Sequence, residues 1–112
     1  MRVAVTSMGD TLEQPVGPGA GKCHSWLVVD PVTMEYEAIR NPFATVSGPG
    51  AGKFLVAQLK EYGVGVVLVG GFGCNDLKLL SHAGIRVLLG MTGSVRETVE
   101  KFKRSAAAFH GL

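Results

Sequence analysis

Val66-Val67-Leu68-Val69-Gly70-Gly71-Phe72-Gly73-Cys74-Asn75 passes from four uninterrupted apolar residues into a glycine turn and on to a residue suited to cap a helix. A continuous apolar run this short marks a strand buried on both faces, which is the habit of a parallel sheet. The flanks agree. Upstream, Leu55, Leu59 and Tyr62 share one face of a helix expected over Lys53 to Tyr62, with Gly63 as its stop. Downstream, Asn75 is placed to cap a helix ending at Gly84, and Ile85 to Leu89 reads as a second buried strand. Ser94 and Glu97 form a capping box opening a last helix, with Val95, Val99, Phe102, Ala106 and Phe109 at helical spacing. Strand, helix, strand and helix in this order demand right-handed crossovers and parallel strands.

The first half adds a meander. Val3 and Val5 open a strand that stops at Ser7, and a long loop rich in Gly and Pro follows. Trp26 to Asp30 is a second strand, with Trp26 a core residue. Asp30-Pro31 turns the chain, and Glu35 to Arg40 is a third strand, antiparallel to the second because the turn is short. Asn41 to Gly52 is a second long loop. The expected fold is a single α/β domain over 1–112: an α/β/α sandwich of about five strands, one of them antiparallel. Ligands of such sheets bind beyond the carboxyl ends of the parallel strands. Four loops should leave that edge: Ser7 to Cys23, Asn41 to Gly52, Gly70 to Cys74, and Gly90 to Gly93.

Composition narrows the classes. The 112 residues are 46% hydrophobic and carry a formal net charge of +2, which suits a globular chain and not one that coats nucleic acid. No apolar run approaches the ~20 residues of a membrane helix. Cys23 and Cys74 are far apart in sequence, so a reduced, cytoplasmic setting is expected in place of a disulfide framework.

The hexapeptide Gly-Pro-Gly-Ala-Gly-Lys occurs at Gly17 to Lys22 and again at Gly48 to Lys53. Glycine contributes no core, but it lets backbone N–H groups approach an anion, and each copy ends in a lysine. Neither copy is a nucleotide-binding P-loop. Val16 and Ser47 stand where its first glycine belongs, and Cys23 and Phe54 where its Ser or Thr belongs. Acid–base and two-metal chemistry need converging carboxylates, and Asp10, Glu13 and Asp76 are scattered single charges. His24, His82 and His110 have no metal spacing. Soft contacts are available from Cys23 beside His24, from Cys74 before a helix N-terminus, and from Met91.

The chain resembles the nitrogenase accessory factors, small domains that bind iron–molybdenum cofactor precursors. The carriers of the resemblance are Pro15-Val16, Gly21-Lys22 and Trp26-Leu27-Val28-Val29-Asp30. They continue in Gly50-Ala51-Gly52, Gly71-Phe72-Gly73-Cys74-Asn75 and Ala83-Gly84-Ile85-Arg86-Val87. The resemblance implies a ribonuclease H-like fold with a mixed five-stranded sheet in order 3-2-1-4-5, strand 2 antiparallel. It also implies a non-enzymatic carrier of a molybdenum-containing metal–sulfur cluster, with copper or iron, and protein partners for delivery or assembly. Two customary histidines are absent, since Gly19 and Pro49 stand in their places, and Cys74 replaces a usual proline. Loss of the histidines favours non-covalent capture of an anionic cluster, as in the orange protein branch. The expected cradle is Gly19, Gly21, Lys22, Gly50, Gly52, Lys53, Gly71, Phe72, Gly73, Asn75, Thr92 and Gly93, with Cys23, His24, Cys74 and Met91 as soft contacts. Two other readings use the same residues: a small enzyme or sensor for a phosphorylated metabolite, and a protein-interaction module whose repeats are hinges.

Overall fold

Alternation decides which side of the sheet each strand residue serves, and β1 (Arg2–Ser7) supplies both sides at once. In the computed structural model, which describes residues 2–17, 23–41, 49–70 and 78–110, β1 lies at the centre of a five-stranded sheet. Its neighbours are β2 (Ser25–Val29), antiparallel in the register Val5↔Leu27, and β4 (Val64–Leu68), parallel. β3 (Tyr36–Arg40) pairs antiparallel with β2, and β5 (Arg86–Leu88) parallel with β4. The order is β3-β2-β1-β4-β5, as expected, with β2 running against the rest.

Ala4, Trp26, Val28 and Val67 meet Leu55 and Leu59 of α1 (Pro49–Glu61) and Leu80 of α2 (Lys78–His82). Val3, Val5, Leu27, Val66 and Leu68 meet Val95 and Val99 of α3 (Val95–His110). The two sets alternate along each strand, so α1 and α2 cover one face and α3 the other. Each fully buried Val or Leu contributes roughly 1.5–3 kcal/mol. That drive sets the strand registers, because a slip of one residue would carry every side chain to the opposite face and mismatch it with the helix packed there.

The boundaries shift in one informative place. α1 begins at Pro49, inside the second hexapeptide, and not at Lys53. Proline suits a first helical position, where its missing N–H is not needed, so the glycine-rich copy enters the helix instead of preceding it. Gly63 and Gly84, with φ of 75° and 83°, end α1 and α2 in the left-handed conformation anticipated for helix stops. β4 starts at Val64, earlier than its apolar run, and β5 is shorter than expected. The Asn75 cap lies outside the described residues.

Candidate functional site

The carboxyl ends of β1, β4 and β5 and the N-termini of α1 and α3 share one edge of the sheet. At its centre the first hexapeptide is anchored by its first residue. Gly17 donates to the Thr6 carbonyl at 2.8 Å, and its own carbonyl accepts from Thr6 Oγ1 at 3.0 Å and from the Gly70 amide at 3.1 Å. A Cβ at Gly70 would run into that carbonyl, and one at Gly17 would lie 2.7 Å from the Cys23 Cβ. Packing therefore requires glycine at Gly17, which the ligand-centred reading of the repeat did not foresee. The loops that begin at Gly17 and Gly70 are held against each other by backbone.

Small polar side chains complete this joint, and the sequence reading overlooked them. Thr6 and Ser7 are wholly buried, and Ser25 and Asn41 nearly so. Ser7 Oγ and Ser25 Oγ both donate to the Gly9 carbonyl, at 2.7 and 2.8 Å. Asn41 Nδ2 donates to the Cys23 carbonyl at 2.8 Å. Their signal was a polar residue at a strand end, where a buried hydroxyl or amide must find a backbone partner.

Cys23 and His24 go to opposite environments. Cys23 is 6% exposed and packs in the cluster of Trp26 and Leu55. Burial pushes its thiol up to about 11, against an opposing pull from the Ser7 backbone and its own. It is a neutral thiol at pH 7, with little ligand character. His24 is exposed, its Nε2 3.3 Å from Asp10 Oδ1. Glu13 Oε1 accepts from Arg96 Nε at 2.9 Å and Nη2 at 2.8 Å. Two of the three acids at this edge thus face basic partners and not each other. Among the described residues no group of three His, Cys, Asp or Glu side chains is placed to hold a metal ion.

The N-terminus of α3 is sealed by the chain itself. Val95 and Arg96 donate their amides to the carbonyls of Gln14 and Leu12, both at 2.9 Å. The Ser94–Glu97 capping box closes as expected. Glu97 donates its amide to Ser94 Oγ and Ser94 donates its amide to Glu97 Oε1, both at 3.1 Å. Thr92 and Gly93 serve this closure: Val16 donates to the Gly93 carbonyl at 3.0 Å, and Thr98 Oγ1 to the Thr92 carbonyl at 3.3 Å. Met91 turns inward against the α3 cluster.

The N-terminus of α1 is built differently. Gly50, Ala51 and Gly52 fill its first turn, where intrahelical partners for N–H do not exist. No acid lies in that turn. Lys53 follows and is exposed. The helix dipole, these amides and the lysine form a positive, donor-rich corner. Gly19, Gly21, Lys22, Gly71, Phe72, Gly73, Cys74 and Asn75 fall outside the described residues.

The model of the family described as dinitrogenase iron-molybdenum cofactor matches residues 1–105. The apo form of the orange protein from Desulfovibrio gigas is 33% identical over 93% of this chain and 88% of its own, with a TM-score of 0.80. A protein from Thermotoga, whose NMR structure is assigned to the DUF35 family, is 26% identical over 92% of this chain and 87% of its own, with a TM-score of 0.72. No protein of curated function matches the sequence.

Proposed function

The chain belongs to the dinitrogenase iron-molybdenum cofactor family, and from that premise we propose that it carries an anionic metal–sulfur cluster containing molybdenum, with copper or iron. The observation that carries the reading is the first turn of α1. It offers the amides of Gly50, Ala51 and Gly52 and the ammonium of Lys53 at the carboxyl edge of the sheet, where no acid of its own answers them. Sulfides bearing negative charge are suited to such donors. Gly19, Gly21 and Lys22 of the first copy, with Gly71, Phe72, Gly73 and Asn75 of the third loop, complete the cradle in this proposal.

The soft side chains take a secondary part. The neutral, buried thiol of Cys23 speaks for cradling over thiolate ligation, and His24 is engaged with Asp10. Cys74 adds a sulfur contact, while Met91 is spent on packing against α3. The protein holds its cargo without turnover: Glu13 is paired with Arg96, and Asp10 lies beside His24 on the exposed surface. Its setting is the reducing cytoplasm, which preserves both thiols and sulfide. Protein partners receive or supply the cluster.

Anaerobic equilibrium dialysis against tetrathiomolybdate, with and without copper, is the test. Uptake with visible absorption bands, weakened by salt, is the expected result. No uptake under either condition overturns the proposal, and preferential binding of a phosphorylated metabolite would replace it with the enzyme or sensor reading.

A further inference from the structure

β3 ends the sheet, and among the described residues no strand lies along its outer side. Hydrogen-bonded and non-bonded pairs alternate along an antiparallel ladder. Asp30 donates to the Glu35 carbonyl at 2.8 Å and Asn41 to the His24 carbonyl at 3.4 Å, which fixes the phase. The pairs Val28↔Glu37 and Trp26↔Ile39 therefore bond inward to β2. Tyr36, Ala38 and Arg40 turn their N–H and C=O groups outward, and all three are exposed. Such an edge is a template for another strand.

A groove runs along the same strand, at the sheet edge opposite the α1 corner. A cavity of about 450 Å³ is lined by Arg2, Asp30, Glu35, Tyr36 and Glu37, with Val28 at its base. A second, of about 450 Å³, shares Arg2, Asp30 and Glu37 and extends to Glu61 and Tyr62 at the end of α1. Four carboxylates face one guanidinium here, although the chain as a whole carries a net charge of +2. The carbonyl end of the α1 dipole adds to the negative field.

We propose that β3 and this groove form a docking surface for an extended, basic segment of a partner protein, which adds to the sheet as a sixth strand. Its backbone pairs with Tyr36, Ala38 and Arg40. Its alternate side chains lie on the Glu37 face, where lysine or arginine meets Glu37, Glu35 and Asp30. Main-chain bonds supply affinity and the acids supply the choice of partner. The surface is remote from Lys53, so docking and cargo binding are compatible.

The probe is a fluorescein-labelled heptapeptide alternating lysine and valine, read by fluorescence anisotropy at low salt. The control replaces its lysines by glutamates. Ala38→Pro removes one outward N–H at an edge position where proline is tolerated. Glu37→Lys reverses the charge without touching the backbone. Each substitution should weaken the lysine peptide by about tenfold, an effect of the size of one lost charge-assisted contact. Arg104→Gln on α3 should leave binding unchanged. Amide shifts on titration should centre on 36–40. No binding, equal binding of the glutamate peptide, or unchanged affinity in both variants overturns the proposal. So does sedimentation showing a dimer that Ala38→Pro dissolves, which would make a second copy the occupant.

Discussion

Two helices begin at the same edge of this sheet and treat their N-termini in opposite ways. α3 is closed by its own chain: the carbonyls of Leu12 and Gln14 and the Ser94 hydroxyl accept its first amides, and Glu97 places a carboxylate in its first turn. α1 starts with Pro-Gly-Ala-Gly-Lys and has no acid in its first turn. Every helix offers a positive end. Whether that end is a site depends on whether the protein has already answered it. The difference separates a structural helix start from one fit for an external anion.

The largest effect should come from breaking the joint that supports the sealed end. Gly70→Ala drives a Cβ into the Gly17 carbonyl and displaces the strand of loop that covers α3. Urea denaturation should show a loss of about 3 kcal/mol. A loss below a few tenths would mean that the two loops are not rigidly joined.

Next comes the positive corner itself. Replacing Lys22 and Lys53 together by Gln should weaken tetrathiomolybdate by about tenfold at low salt, with less effect as salt rises and circular dichroism unchanged. Unaltered affinity would reduce both lysines to solubilising charges. Ser94→Ala is the matching cut at the sealed end. It should lower stability by about 1 kcal/mol and leave anion binding intact.

A sharper comparison makes α1 resemble α3. Ala51→Glu puts a carboxylate in the first turn of α1, which should stabilise the fold by about 0.5 kcal/mol while weakening the anion. The two readouts move in opposite directions. If both fall, the α1 N-terminus is not the anion's contact.

The smallest effect is a titration. Hydrogen bonds from the Ser94 backbone and then its side chain hold Glu97 below the ordinary glutamate range. The folded carboxyl binds its proton less readily than the unfolded one, so the seal contributes above the unfolded value and is lost as pH falls through the folded value. Glu97→Gln should flatten that acid limb of the stability profile. An unchanged limb would remove Glu97 from the account.

The strands, the α1 and α2 stops and the Ser94–Glu97 box were legible because each rests on a short-range rule: apolar patterning, glycine after a helix, a hydroxyl three residues before a carboxylate; the order of the strands came from the family resemblance. The start of α1 was not, since glycine-rich composition argues for loop and the tertiary burial of Leu55 and Leu59 overrides it. The closure of α3 by Leu12 and Gln14 uses main-chain carbonyls, which look the same at every residue. The divergence of Cys23 and His24 follows from the turn into β2, which adjacency in sequence does not report. Gly17 was read for what it offers a ligand, while its contacts are with Cys23, Thr6 and Gly70.

The central place of β1 also sets a timetable. β2 and β3 follow it within the first 40 residues and can zip up as a local antiparallel meander, whereas its parallel partner β4 begins at Val64. On the ribosome, one side of the innermost strand must therefore wait through the synthesis of α1 before it is paired. Until then Val3, Ala4 and Val5 lack the parallel partner that covers their second edge.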